Sequence, residues 1–271
     1  MAVEDLSPAR KRFGLMLRKY RLQAGMTQQE LAKGAQVAQS TLSDLEQGKK
    51  GTRRDHVARI DKALIAHDAL VNAWDLAFSP SGMTSYFREV AEAEQVAVSI
   101  RQYALGLIPG LVQAEAYARE VSKLALPQEK PEVIEEIVTT RVRRQEILNR
   151  EHPPVITVLL DEIVLLRRFK QSEVMKSQVE HLLDLSHRDR VTIQVVPMDT
   201  EGHPGLGGDF KLIAVPGSSD IVYVEGHNAG MSLKEPEIVN GYDRIFAELR
   251  SAALPVPASR SRLEQIRGSI R

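Results

Sequence analysis

The chain has 271 residues, 43% of them hydrophobic, enough for packed cores in one large domain or two ordinary ones. It has no cysteine, which excludes disulfide frameworks, thiolate metal sites and cysteine nucleophiles. Its formal net charge is zero, but residues 1–78 hold 13 Lys+Arg against 9 Asp+Glu, and the remainder 23 against 27. That asymmetry suits a small nucleic-acid reader joined to a domain that does not touch phosphates. No apolar run reaches the roughly 18 residues of a membrane span. The stretch MAVEDLSPARKRFG lacks the apolar core of a signal peptide, so a cytoplasmic, nucleoid-associated location is expected.

Residues 1–7 read as loose. Ser7-Pro8 is a helix start, and the helix is expected to run to about Ala24, burying Phe13, Leu17 and Tyr20 or the stem of Arg21. Gly25 stops it. Thr27 then N-caps a short helix, with Glu30 three residues on completing a capping box. Leu31, Ala32 and Ala35 give that helix its apolar face, and Gln36 lies in the turn that follows. A second short helix turns Leu42 and Leu45 inward and ends at Gly48. Its outward face carries Gln39, Ser40, Thr41, Ser43 and Asp44. A small polar face on a short helix, braced by its neighbour, is what reading base edges in a major groove requires. Lys49, Lys50, Arg53 and Arg54 follow directly. Two more helices are expected, over 55–64 with Val57, Ile60 and Leu64 inward, and over 68–78 with Trp74 covering the end of the bundle.

Residues 13–64 resemble the XRE-type helix-turn-helix of phage repressors and many bacterial regulators. The resemblance rests on Leu17-Arg18, Arg21, Thr27-Gln28, Glu30-Leu31-Ala32, Ser43 and Leu45-Glu46-Gln47-Gly48. It implies double-stranded DNA as partner and an operator as target. On this reading Gln28 holds a phosphate at a helix N-terminus, where backbone amides add to the attraction. Gln39, Ser40, Ser43 and Asp44 face base edges, with Thr41 beside them on the DNA-binding face, glutamine favouring adenine and Asp44 able to accept from cytosine N4. Lys49, Lys50, Arg53 and Arg54 supply backbone contacts without sequence information. A module this small covers few base pairs, so a homodimer on two half-sites is expected.

Ser79-Pro80-Ser81-Gly82 reads as a linker, giving domains 1–78 and 79–271. Beyond it a short helix is expected over 83–93, an extended stretch over 96–108, a turn at Ile108-Pro109-Gly110-Leu111, and helices over 113–124 and 131–150. The apolar run Val155–Leu160 reads as a central strand. Helices over 161–169 and 172–186 precede a strand over 191–196 and a glycine-rich loop over 200–208. Strands over 210–215 and 221–225 join through Pro216-Gly217-Ser218-Ser219. A helix over 235–249, a proline-marked tail over 254–258 and a helix over 261–270 close the chain. The fold class expected is an all-α helix-turn-helix domain of five helices followed by an α+β domain with a mixed four- to five-stranded sheet.

The second part resembles the C-terminal domain of actinobacterial WhiJ-type, antitoxin-like regulators. The residues that carry this are Ile108-Pro109-Gly110-Leu111-Val112-Gln113, Tyr117-Ala118-Arg119, Arg141, Arg143-Arg144-Gln145, Asp161-Glu162, Leu165, Arg167, Met175, Gln178, Gly208, Phe210 and Val222-Tyr223-Val224-Glu225. The family has Leu-Leu-Gln-Thr where this chain has Leu111-Val112-Gln113-Ala114. The resemblance implies a regulator, read as a repressor, whose C-terminal domain receives a ligand or a small acidic partner protein encoded nearby. The alternative is an antitoxin-like module that sequesters a partner, with DNA binding secondary.

No catalytic, cofactor or metal site is read. Asp161-Glu162 resembles a carboxylate pair, but sequence neighbours at a helix start point about 100° apart, and acids there favour the helix dipole. Pairing of these two with Arg143, Arg144 or Arg167 is the expected structural role, and a part in ligand or partner binding the alternative. Glu225, His227 and His203 have no metal-ligand spacing. Gly205-x-Gly207-Gly208 precedes a strand and reads as a hinge. Arg141, Arg143 and Arg144, expected on one exposed helix side, are the candidates for an anionic ligand or partner, since guanidinium grips carboxylates and phosphates bidentately. An enzyme would instead need a pocket uniting Asp161 and Glu162 with His203 or His227.

Overall fold

The structure, a computed structural model, describes residues 8–78, 85–226 and 229–270. The expected linker over 79–82, the first seven residues and His227 lie outside the described residues. The chain divides into two compact units, residues 1–88 with 126–137 and residues 89–125 with 138–271.

Five helices open the chain: α1 (Pro8–Gln23), α2 (Gln28–Gly34), α3 (Gln39–Glu46), α4 (Arg54–Ala63) and α5 (Ala69–Phe78). They close around one apolar core in which Phe13 and Leu17 meet Leu31, Leu42, Leu45, Val57, Ile60 and Leu70, with Trp74 packed on its margin. Thr27 makes the capping box with Glu30 in full. The start of α5 is held from α4: buried Asp61 accepts from Asp68 N at 3.0 Å and Leu70 N at 2.9 Å. Its carboxylate thus serves two amides that have no partner in their own helix. Within the same unit, Arg12 donates to Glu129 at 2.8 Å.

The second region begins with α6 (Ser85–Val96) and builds a six-stranded mixed sheet in the order β3-β2-β1-β4-β5-β6. Strands β1 (Ser99–Ala104), β2 (Val155–Asp161) and β3 (Val191–Val196) run parallel; β4 (Phe210–Ala214), β5 (Ile221–Gly226) and β6 (Ala229–Leu233) form an antiparallel meander attached to β1. Helices α7 (Glu115–Ala125), α8 (Pro131–Arg143), α9 (Glu162–Leu165), α10 (Ser172–Ser186), α11 (Pro236–Ala252) and α12 (Val256–Ser269) complete it. Both sheet faces are buried. Tyr103, Leu159, Val196, Phe210, Leu212 and Val222 pack on Val239, Phe246 and Leu249 of α11. Their strand neighbours Ile100, Ile156, Val158, Ile193 and Ile213 are buried on the opposite face, as the period of two dictates. No helix among the described residues is long and apolar enough to cross a membrane.

The expected class holds, with corrections. The sheet has six strands: β6, with Gly230-Met231-Ser232 at its centre, has no apolar run to mark it. Val96 ends α6, and the strand after it is confined to Ser99–Ala104. The expected helix over 131–150 stops at Arg143 and continues as a 3-10 turn, Arg144–Asn149. That over 161–169 shrinks to the four residues of α9, because Asp161 still belongs to β2. The proline-marked tail is mostly helix: Pro255 precedes α12, whose Ser259, Leu263 and Ile266 are buried.

Candidate functional site

Helix α3 is presented by its neighbours. Gln36 in the turn before it takes φ +54°, and Arg59 of α4 clamps that turn, donating from Nε to Ala35 O at 2.9 Å. At its far end α3 lies so close to α1 that a Cβ at Gly14 would meet Glu46 O at 2.4 Å and Leu45 O at 2.7 Å. Any larger residue there would push the two helices apart. Gly48 ends the segment at φ +68°.

A chain of side-chain hydrogen bonds then runs from the core to the outer face of α3. Arg21 grips Glu46 with two bonds, Nε to Oε1 at 2.6 Å and Nη2 to Oε2 at 3.1 Å, and donates to Met26 O at 2.7 Å. The hydrogen bond that Arg21 donates to Glu46 raises the Arg21 pKa against the effect of burial. Gln28 Nε2 donates to Glu46 Oε2 at 2.8 Å, and Gln39 Nε2 donates to Gln28 Oε1 at 2.9 Å. Gln39, at the first turn of α3, is thus aimed through Gln28 by a buried ion pair. Gln39 and Ser40 are exposed; Thr41, Ser43 and Asp44 are half-buried, with Gln47 Nε2 donating to Ser43 Oγ at 2.8 Å. Lys49, Lys50 and Arg53 are exposed beyond the helix end and Arg54 is half-buried; Arg53 pairs with Asp55 at 3.1 Å. The eight residues of α3 span about 12 Å, and a helix of ordinary width fits a major groove.

The candidates of the α+β region separate into two clusters. Buried Glu94 takes Arg144 on Oε2, from Nη2 at 2.7 Å and Nε at 3.2 Å, and Lys211 on Oε1. Burial pushes the Glu94 carboxyl up, but Lys211 and Arg144 outweigh it and hold it below its ordinary value. Arg141, whose pKa is lowered by burial and by neighbouring Arg144, donates to Gln113 Oε1 at 3.2 Å. Arg143 is exposed. Above this cluster the loop over 108–114 is fastened by three glutamines and a tyrosine. Gln113 donates to Ile108 O at 2.6 Å, and Gln145 donates to Gly110 O at 3.1 Å and Gln113 O at 2.7 Å. Gln178 donates to Val112 O and accepts from Ala114 N, while Tyr117 Oη accepts from Ile108 N. Residues scattered over the sequence thus converge on one loop.

Asp161 and Glu162 do not join them, which corrects the expected pairing with Arg143, Arg144 or Arg167. Lys211, which shares Glu94 with Arg144, lies on the face opposite Phe210 and Leu212, whereas Asp161 bonds Tyr103, which packs with those two residues. Asp161 caps α9 through Ile163 N at 3.2 Å, accepts from Tyr103 Oη at 3.0 Å and lies 3.5 Å from His203 Nε2. Glu162 accepts from Met198 N at 3.0 Å and pairs with Arg262. Glu94 and Lys211 escaped the sequence reading; the available signal was a lysine inside the apolar strand Phe-Lys-Leu-Ile-Ala. Among the described residues no group of three or more His, Asp or Glu could hold a metal ion.

Comparison with known proteins agrees with the two regions. Residues 12–74 match the family described as helix-turn-helix domain. No curated protein and no solved structure shows significant similarity to the chain. Residues 87–265, well over half of the chain, match the family described as domain of unknown function (DUF5753), and the chain belongs to that family, carrying a helix-turn-helix domain in front of its shared α+β region.

Proposed function

We propose that the protein is a sequence-specific DNA-binding transcriptional regulator, acting as a homodimeric repressor on the nucleoid. The observation that supports this most is the hydrogen-bonded line Arg21–Glu46–Gln28–Gln39, which fixes an exposed amide at the start of α3. A glutamine held in one orientation meets adenine N6 and N7 with both ends of its amide, and preorganisation lowers the entropic cost of ordering it. Ser40, Thr41, Ser43 and Asp44 complete the reading face. Gln28, with Lys49, Lys50, Arg53 and Arg54, holds phosphates and so sets register rather than specificity. The domain over 79–271 receives the signal, a ligand or a small acidic partner protein, with Arg141 and exposed Arg143 as its anion-facing groups.

Selection of genomic fragments on the purified full chain tests this. The expected result is an enriched motif of two half-sites about 10 base pairs apart, or a multiple of that. Retention would fall as salt rises, with a slope near −0.9 for each phosphate neutralised. Failure to retain any fragment at low ionic strength would overturn the proposal.

A further inference from the structure

The two edges of the sheet are finished differently. At the β3 edge the chain after α11 lies along the strand: Leu254 N donates to Val195 O at 2.8 Å, and Val195 N donates to Ser259 Oγ at 3.1 Å. Gln194 Nε2 adds a bond to Leu254 O at 2.9 Å. Residues 254–259 thus take the outward backbone groups of Val195, which blocks a further strand there. The other edge is β6, which pairs with β5 alone in the sheet. Among the described residues, no backbone group outside β5 pairs with residues 229–233.

β6 also lacks the devices that keep an edge strand solitary. Its sequence, Ala-Gly-Met-Ser-Leu, has no charge and no proline. Its register with β5 is unbroken from Val222 opposite Leu233 to Gly226 opposite Ala229, so no bulge twists the edge away. Val224 and Leu233 pack against the α11 core, and Met231, opposite Val224 and two residues from Leu233, stands on that same face. Yet Met231 is 57% exposed. The apolar layer under α11 therefore runs out at an unpaired strand with a methionine uncovered.

A strand of this composition is its own complement. Two copies set antiparallel about a two-fold axis at Met231 bring the two Met231 side chains together, each Gly230 opposite a Ser232 and each Ala229 opposite a Leu233. The outward N–H and C=O groups then meet, whether they belong to Gly230 and Ser232 or to Ala229, Met231 and Leu233. No like charges are opposed. The strand offers no charge for a foreign segment to recognise, which favours its own copy. With the β3 edge closed, assembly stops at two and does not grow into a filament. We propose that two copies of the chain join through β6, antiparallel about Met231, making one continuous sheet. This rests on the homodimer proposed above and names its surface; assembly is measured without DNA, so this interface and the reading face of α3 can fail separately.

Sedimentation equilibrium of the full-length protein over a concentration series tests this. The unaltered chain should be dimeric. Met231→Lys, at an exposed side chain and with the urea midpoint of the monomer unmoved, should weaken the dimer about tenfold or more, because two ammonium groups are brought together. The chain has no cysteine, so Met231→Cys introduces a single thiol. Opposed Cβ atoms in an antiparallel pair lie about 4.5–5.5 Å apart, close to disulfide reach, and mild oxidation should give a covalent dimer. Leu124→Cys, at another exposed position, should stay a monomer on a denaturing gel. An unaltered chain that is monomeric throughout, a dimer indifferent to Met231→Lys, or cross-linking no faster at Met231→Cys than at Leu124→Cys overturns the proposal. So does slow amide exchange of residues 229–233 in a monomer, which would put another segment of the same chain on this edge.

Discussion

Two buried carboxylates, one in each region, are gripped by an arginine, and they differ in where their second oxygen leads. Glu46 is held by Arg21 and passes the constraint outward through Gln28 to Gln39 on the surface of α3. Glu94 is held by Arg144 and gives its other oxygen to Lys211, which is itself buried. The first arrangement leads to an exposed side chain; the second ties α6 to β4 and to the turn after α8. Burial and ion pairing therefore do not distinguish the two; under the proposed function it is the exit of the hydrogen-bond chain to an exposed residue that does.

The sharpest way to break this comparison is to remove each carboxylate or its partner. Glu94→Ala would take from Arg144 and Lys211 the buried carboxylate they share, a loss of about 3–5 kcal/mol in urea unfolding. Arg21→Met should cost less, roughly 1–3 kcal/mol, because a single charged group is left behind and Glu46 keeps its hydrogen bond from Gln28. Its distinguishing effect is on the surface: Glu46, which holds Gln28 and through it Gln39, is itself no longer fixed, so preference for operator over random DNA should fall even where the variant is fully folded. If Glu94→Ala removes that preference in folded protein while Arg21→Met leaves it intact, the comparison is wrong.

A smaller effect concerns pH. Burial holds the His181 pKa below its ordinary value, and the imidazole Nε2 has no partner among the described residues. The folded state resists the proton that the unfolded chain accepts. Stability is therefore complete above the ordinary histidine pKa and is lost as pH falls below it toward the depressed value. Urea midpoints at neutral and mildly acid pH should show this loss, and His181→Gln should lessen it by the histidine's share. An identical pH dependence in both proteins would remove His181 from the account.

How much of this was legible in the sequence follows from the distances involved. The capping box of Thr27 and Glu30 needs partners three residues apart and was readable in full. The apolar spacing that buries Leu31, Leu42 and Leu45 was equally local. Arg21 and Glu46 were marked by resemblance, but the line they begin joins residues 25, 18 and 11 apart, and no periodicity reveals it. Glu94 and Lys211 lie 117 apart. The helix expected to reach residue 150 gives way at the point where Arg144 turns to Glu94 and Gln145 to the loop over 108–114. These tertiary bonds override local helix propensity. Asp161 and Glu162 were rightly read as acids at a helix start, yet their partners Tyr103, His203 and Arg262 are set by the sheet and by α12.

The central claim is that the outer face of α3 reads bases because its glutamine is held from the core. The most direct test is competition binding of the Gln39→Ala, Ser43→Ala double variant between a selected operator and random DNA of equal length. The account predicts an intact fold, nonspecific affinity and salt dependence unchanged, and operator preference reduced by roughly 1–3 kcal/mol for each base-reading side chain removed. Undiminished preference for the operator in a folded double variant would contradict it.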